Sequence, residues 1–244
     1  IESHCVHASE SDAMKQVRED METTEEVLHK TFGIPFIFFE RPAWDKFPGA
    51  YKTFAADALN PDGKVIQQPS THIISQDFSS AFNIKYQDND GKEKLAWLTC
   101  YGPAVSRIFA SLVIVHGDNK GLKFPWEIAP VQVIIVPIGK EDEITKKAKY
   151  LKEKIERFAS VEIDFSDRQP GEKFNHWEMK GIPIRIDLGL KDLAEKKITL
   201  FRRDLDKKEL VPEKDLIKEI QKISGEFTKN LIKKADKVFD DRIK

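Results

Sequence analysis

The pattern of apolar segments changes in the middle of this sequence, and that change constrains the fold most. Before residue 117, β-branched and aromatic runs are joined by turn sequences such as Asn60-Pro61-Asp62-Gly63, where proline presets φ and glycine supplies a positive φ. After residue 126, apolar strands alternate with longer, charged helices. The first pattern predicts an α+β antiparallel sheet with helices, and the second an α/β domain with a mixed, mostly parallel sheet.

Composition excludes several classes of protein. Of the 244 residues, 40% are hydrophobic and 33% charged, which is typical of a globular chain with one large or two modest domains. The net charge of -1 excludes an overall polycation but leaves room for a local basic face. No apolar run reaches the roughly 18–20 residues of a membrane span, so we expect no membrane association. With only Cys5 and Cys100, we expect a reducing, cytoplasmic location.

The elements predicted before residue 117 alternate between helices and hairpin strands. They are a helix over 12–30, strands over 34–39, 51–59 and 64–74, a helix over 76–82, hairpin strands over 83–87 and 93–101, and a helix over 104–116. The last helix is apolar nearly all round, so we expect it to be buried. Arg107 in its first turns then needs either an acidic partner or a ligand.

The elements predicted after residue 126 suit crossover connections. They are strands over 131–138, 160–165, 182–188 and 197–203, helices over 141–158, 173–179 and 190–195, and a terminal helix or helix pair over 213–243. The lysines of the helix over 141–158 are interpreted as a solvated face.

Polar side chains on the strand over 64–74 predict a ligand site. Ser70 and His72 are two residues apart and share a face, whereas Gln67 falls on the opposite face unless Pro69 marks a bulge. Such residues contact either a substrate or solvent. The guanidinium of Arg107 matches phosphate oxygens and is a candidate triphosphate ligand, with a structural salt bridge as the alternative.

The first residues of the chain add a second candidate group. Glu2 and His4 share a face if this segment is extended. Together with His7 they are weak evidence for a metal, and we predict no metal site. Cys100 lies in an apolar strand without a histidine nearby in sequence, so we expect it to be a core residue.

Several blocks of the sequence resemble prolyl-tRNA synthetases of the archaeal/eukaryotic type, which are class II aminoacyl-tRNA synthetases. The blocks are Trp44–Ala50, Pro61–Gly63, Gln67–His72, Gln76–Phe78, Tyr101–Arg107, His116–Leu122, Ala129–Ile138, Pro170–Arg185 and Phe201–Asp204. They follow one another in order over nearly the whole chain. The resemblance implies ATP-dependent ligation of proline to tRNA(Pro) through a prolyl-adenylate, with Mg²⁺ accompanying ATP.

The resemblance also implies a domain organisation. Residues 1–125 would be the C-terminal part of the catalytic domain, from the end of motif 2 through motif 3. Residues 126–225 would be the anticodon-binding domain, and residues 226–244 a linker helix toward a further C-terminal domain. Motif 1 and the arginine of motif 2 would lie before Ile1, so we expect little or no ATP–pyrophosphate exchange by these 244 residues alone. A homodimer is expected for the full-length protein.

The site residues implied by the resemblance fall into three groups. The proline-binding positions are Glu2, His4, His72 and Ser106; the ATP- and adenylate-binding positions are Gln67, Ser70 and Arg107; the anticodon-binding candidates are Trp177, Glu178, Lys180, Arg185 and Arg202. Arg107 matches the motif 3 arginine that binds the γ-phosphate and is the predicted catalytic residue.

Departures from the family pattern favour an alternative reading. Ser70 replaces a usual threonine, Ser75 a usual glycine and Lys52 a usual tyrosine. One residue more than expected separates Gly102 from Arg107, which offsets Ser106 from the pocket serine of the family. The alternative is therefore a non-catalytic tRNA- or protein-binding module, that is, a degenerate or truncated synthetase paralogue.

Overall fold

The computed structural model describes residues 1–243, and they form two compact units. The first unit contains Ile1–Lys30 and Ile34–Val115, and the second contains Thr31–Gly33 and the chain from His116 onward. Over the described residues, no helix combines the length and the apolar character that crossing a membrane requires.

The first unit is built on a five-stranded antiparallel sheet. In chain order its elements are β1 (Ser3–His7), α1 (Glu10–Thr24), a π-helical segment (Glu25–Thr31), β2 (Ile37–Glu40), β3 (Lys52–Leu59), β4 (Val65–Ser75), α2 (Asp77–Phe82), β5 (Lys85–Gln87), β6 (Glu93–Leu95), β7 (Trp97–Gly102) and α3 (Val105–His116). The strand order in the main sheet is β1-β7-β4-β3-β2, with every pair antiparallel. The predicted class of this region is confirmed.

Helix α1 covers one face of this sheet. Ser9 caps the helix by accepting a hydrogen bond from the Asp12 amide at 3.1 Å. Buried Asp20 on the inner side of α1 accepts a hydrogen bond from the Thr71 hydroxyl of β4 at 2.7 Å. Because side chains alternate along a strand, the neighbours of Thr71 point to the opposite face, which α1 leaves open.

The predicted hairpin forms between β5 and β6, but the predicted extent of its second strand, 93–101, is wrong, because that segment divides into two strands. β6 pairs with β5 in a separate two-stranded sheet, whereas β7 joins the main sheet between β1 and β4. The break falls at Ala96, which is fully buried. Its amide donates to the Ile84 carbonyl at 3.2 Å, in register with the β5–β6 pairing, and its carbonyl accepts from the Ser79 hydroxyl at 2.6 Å, so neither group bonds to a strand of the main sheet.

Helix α3 is buried on one side only, so the expected burial all round is wrong. Ile108 and Leu112 are buried, and Ser111 accepts a hydrogen bond from the Gln68 amide at 2.8 Å. Val105 and Phe109 on the other side are more than half exposed. The apolar composition of α3 therefore does not predict how much of the helix is buried by the described residues.

The second unit has a five-stranded mixed sheet with helices on both faces. Its elements are a 3₁₀ turn (Trp126–Ile128), β8 (Val133–Ile138), α4 (Asp142–Ile155), β9 (Val161–Ile163), α5 (Pro170–Met179), β10 (Ile184–Gly189), α6 (Leu190–Ala194), β11 (Lys197–Arg202), β12 (Lys207–Pro212), a 3₁₀ turn (Glu213–Asp215) and α7 (Leu216–Ile243). The strand order is β12-β11-β10-β8-β9, and β8 runs parallel to both β9 and β10. The predicted mixed-sheet class is confirmed.

The two faces of this sheet have separate cores. Val133 and Ile135 of β8 pack in a large cluster with α4 and α7. Ile134 and Val136, which alternate with them, pack against Trp177 of α5. Helices α4 and α5, which follow β8 and β9, therefore lie on opposite faces of the sheet.

Candidate functional site

A cavity of about 460 Å³ opens on the face of the first sheet that α1 leaves uncovered. Five predicted site residues line it: Glu2, His4, Ser70, His72 and Arg107. The rest of the wall is mostly apolar and includes Val6, Phe47, Ile74, Phe78, Ile84 and Leu98. A few converging polar groups in an apolar concavity are typical of a small-molecule site.

His72 is held at both ring nitrogens by hydroxyl groups. Its Nδ1 lies 2.9 Å from Thr53 Oγ1, and its Nε2 lies 3.1 Å from Ser70 Oγ. The ring also packs against Phe47, with 5.3 Å between ring centroids. Burial lowers the pKa of His72 below its ordinary value, against a smaller opposite effect of the Glu2 charge. The imidazole is therefore neutral at pH 7.

Glu2 and His4 form an exposed pair at the mouth of the cavity. Glu2 Oε2 lies 3.2 Å from His4 Nε2. Pairing of β1 with β7 also places Cys100 Sγ 4.0 Å from this nitrogen. Burial raises the pKa of the Cys100 thiol, so it stays protonated. Cys100 is only partly buried and lines the cavity, so its expected place in the core is wrong.

Arg107 reaches the cavity from the first turn of α3. Its side chain is exposed, and within residues 1–243 it has no hydrogen bond and no ion pair. The structural salt bridge considered above is therefore not formed with any described residue. Ser106 is exposed beside it and does not line the cavity.

A bulge in β4 changes the face on which Gln67 lies. Ala55 and Asp57 are two residues apart on β3, but their partners Ser70 and Gln67 are three residues apart on β4. The extra residue of β4 brings Gln67 to the same face as Ser70. Pro69 was the sequence signal for this irregularity. Gln67 is half-buried and lies outside the cavity lining.

Two arginines predicted to contact RNA are fully engaged inside the second unit. Arg185 is buried and donates to Asp187 at 2.7 Å and to Glu178 at 2.6 Å. Arg202 is buried and donates to both carboxylate oxygens of Asp204, at 3.2 and 2.9 Å. Burial alone lowers the pKa of Arg202, but the hydrogen bond and charge of Asp204 raise it overall. Their contact with RNA stays a prediction.

Trp177 also has a packing task within the second unit. The side chain is buried, and its indole N–H donates to Asp164 Oδ2 at 2.7 Å. The exposed Lys180 places its ammonium 4.7 Å from the centre of the Trp177 ring. Among the predicted anticodon contacts, Lys180 therefore has the most accessible charge.

A crevice of about 360 Å³ at the carboxyl ends of β8 and β9 was missed by the sequence analysis. Its lining includes Gly139, Lys140, the segment from Asp164 to Pro170, and Lys173. The chain leaves β8 and β9 toward opposite faces of the sheet, and open α/β sheets bind ligands at such points. The polar run between β9 and α5 was the available signal.

Comparison with known proteins defines the class of the chain. Residues 1–116 match the model of the tRNA synthetase class II core domain (G, H, P, S and T), and residues 132–223 match the anticodon binding domain. The chain belongs to the class II aminoacyl-tRNA synthetases.

Within that class, the chain is similar over its length to proline–tRNA ligases. It is 43% identical to that of Thermofilum pendens, covering 100% of this chain and 52% of the relative. It is 42% identical to that of Methanocaldococcus jannaschii, covering 99% and 53%. The resemblance to prolyl-tRNA synthetases is therefore confirmed, and the chain spans about half the length of these curated relatives.

Proposed function

We propose that this chain is part of a proline–tRNA ligase, which joins proline to tRNA(Pro) through a prolyl-adenylate at the expense of ATP. One observation carries the proposal: the cavity of the first unit brings Glu2, His4, Ser70 and His72 together with an unpaired Arg107. In the reaction, the carboxylate of proline attacks the α-phosphate of ATP and pyrophosphate leaves. Such chemistry depends on positioning and on neutralising charge.

Arg107 is suited to the triphosphate. A guanidinium binds phosphate oxygens through a planar fork, and the one on Arg107 has no competing partner among residues 1–243. We assign it to the γ-phosphate, with Ser70 and Gln67 nearer the adenylate. Mg²⁺ bound to the ATP phosphates would supply further charge neutralisation. Hard oxygen ligands suit this ion, and residues 1–243 contain no group of three or more His, Cys, Asp or Glu that could hold it alone.

The remaining wall of the cavity suits proline. Phe47 and Leu98 offer apolar surface to a pyrrolidine ring, and the Glu2 carboxylate offers an acceptor to its ammonium. We assign His4 and His72, which also line the cavity, to the same proline site as its polar groups. Ser106 belongs to it only through the resemblance, since it lies outside the lining.

We assign anticodon contact to the second unit. Splayed bases are recognised by stacking and by hydrogen bonds to their edges. The crevice at β8 and β9 offers Phe165, which is half exposed, together with Lys140 and Arg168. Lys180 is a further contact candidate, whereas Trp177, Glu178, Arg185 and Arg202 would act mainly by holding this surface in shape.

The domain assignment follows the same proposal. Residues 1–125 would be the C-terminal part of the catalytic domain, 126–225 the anticodon-binding domain and 226–244 a linker helix. A homodimer and a cytoplasmic location are proposed with the activity.

Proline-dependent ATP–pyrophosphate exchange by the protein translated from the complete gene tests this function. We expect exchange with proline, little with threonine or alanine, and transfer of proline to tRNA(Pro). Arg107→Met should abolish most of the exchange, and Lys52→Met, a change outside the cavity lining, serves as the matched control. Binding of tRNA without exchange by the unaltered protein would favour the non-catalytic module instead.

A further inference from the structure

Thr53 connects two walls of the cavity although it does not line the cavity itself. It lies on β3 directly opposite His72 on β4, and only 4% of its surface is exposed. Its Oγ1 accepts a hydrogen bond from the Phe47 amide at 3.1 Å and lies 2.9 Å from His72 Nδ1. Phe47 also packs its ring on His72. One hydroxyl therefore contacts both residues that form this corner.

Counting hydrogens fixes the direction of these contacts. The Phe47 amide can only donate, so Thr53 Oγ1 accepts that bond and keeps its own hydrogen. His72 Nδ1 is the acceptor within reach of that hydrogen. If Nδ1 carried a hydrogen instead, the buried hydroxyl of Thr53 would donate to nothing, which costs free energy. The favoured arrangement has Thr53 donating to Nδ1 and the imidazole hydrogen on Nε2.

The same count of hydrogens determines the direction of the hydrogen bond between His72 and Ser70. With its hydrogen on Nε2, His72 donates to Ser70 Oγ at 3.1 Å. Ser70 then accepts from the imidazole, and its own hydrogen is directed to whatever the cavity binds. If Nε2 were unprotonated, Ser70 would donate its hydrogen to the imidazole and offer only lone pairs to a ligand.

We propose that Thr53 is a positioning residue that holds His72 in the Nε2–H tautomer and thereby makes Ser70 a hydrogen-bond donor toward an anionic oxygen in the cavity. The ligand group is a carboxylate or phosphate oxygen, as in an amino acid or an acyl-adenylate. The inference rests on the proposed function for the identity of the ligand, but not for the tautomer. Thr53 acts through His72 and Ser70 and does not touch the ligand.

The tautomer is measured without any ligand. Long-range ¹H–¹⁵N correlation spectra of the ¹⁵N-labelled protein distinguish Nε2–H from Nδ1–H, and His72→Gln assigns the signal. We expect Nε2–H in the unaltered protein and in Thr53→Ser, and a mixture of tautomers in Thr53→Val. An Nδ1–H tautomer of His72 in the unaltered protein overturns the proposal.

Affinity for a non-hydrolysable prolyl-adenylate analogue tests the consequence for the ligand. We expect Thr53→Val to weaken binding about 3- to 10-fold, the worth of one neutral hydrogen bond, and Thr53→Ser to stay within about twofold of the unaltered protein. In a Ser70→Ala background, Thr53→Val should add less than about twofold, because both changes remove the same donor. Full additivity overturns the positioning role. Failure of the unaltered protein to bind the analogue contradicts the proposed function and leaves the tautomer result standing.

Discussion

The two units place the same residue type in opposite situations. In the first unit Arg107 is exposed at the cavity and has no partner within the described residues. In the second unit Arg185, Arg202 and Arg203 are buried, and each is bonded to two or more acidic side chains. Arg107 is therefore available to a ligand, whereas the guanidinium groups of the three buried arginines are already bonded to carboxylates of the second unit.

The most enclosed of these arginines organises a charge cluster. Arg203 is fully buried and donates to both oxygens of Asp118, at 2.8 and 2.6 Å, while buried Lys123 lies 2.8 Å from the same carboxylate. The hydrogen bond from Arg203 holds the pKa of Asp118 far below its ordinary value, with a further contribution from Lys123. The Asp118 carboxylate remains charged throughout the physiological pH range, so its ion pairs with Arg203 and Lys123 do not change with pH in that range.

Removing Arg203 should have the largest effect on stability. Arg203→Met leaves the Asp118 carboxylate short of a partner, and we expect the free energy of unfolding of the second unit to fall by about 3 kcal/mol. Urea titration followed by the fluorescence of Trp126 and Trp177 measures it. Lys120→Met, which removes an exposed pair with Asp206, should cost less than about 1 kcal/mol. Equal stability of the two variants would contradict the greater contribution that we assign to the buried arginine.

Arg107→Met should affect binding and leave folding alone. No described side chain forms a hydrogen bond or an ion pair with the Arg107 side chain. The free energy of unfolding of the Arg107→Met variant should therefore stay within about 0.5 kcal/mol of that of the unaltered protein. The dissociation constant of ATP, measured by calorimetry with Mg²⁺ at fixed salt, should rise about 10- to 100-fold, the worth of a charged hydrogen bond. Arg107→Lys should recover part of the affinity. A lower free energy of unfolding with an unchanged ATP dissociation constant would instead show that Arg107 has a structural role.

Trp177→Phe separates packing from RNA contact in the second unit. The change removes the indole N–H that binds Asp164, so we expect a loss of about 1–2 kcal/mol in the free energy of unfolding. Affinity for tRNA at a temperature where the variant is folded should be unchanged. Trp44→Phe, at a position 89% exposed, is the matched control and should change neither quantity. A weaker tRNA complex would give Trp177 a direct role.

The smallest expected effect is a pH dependence. Burial lowers the pKa of His116, partly offset by its hydrogen bond to the Phe32 carbonyl at 2.7 Å. The unfolded chain therefore takes up a proton near pH 6.5 while the folded protein still resists it. The contribution of His116 to stability is full above about pH 6.5 and declines as the pH falls toward its lowered folded pKa. Urea titrations at pH 7.5 and 5.5 should show a smaller acid loss in His116→Gln.

Much of the fold follows from local pattern. The turn at Asn60–Gly63 predicts strands on either side of it, and β3 and β4 form there as the expected antiparallel pair. Strands β1 and β12 are not predicted, because the segments Ser3–His7 and Lys207–Pro212 are short and rich in polar residues. These two segments form strands because they pair with β7 and β11, although their composition does not favour strand structure.

The sequence by itself determined that Ser70 and His72 share a face, that an arginine begins an apolar helix, and that a hairpin region precedes an α/β region. Only the tertiary structure decided that Thr53, 19 residues from His72, orients its imidazole, and that Cys100 lies beside His4 across 96 residues. It also decided which arginines are neutralised. The physical reason is that strand pairing sets these distances, and a polar group's role depends on which partners lie within hydrogen-bond reach.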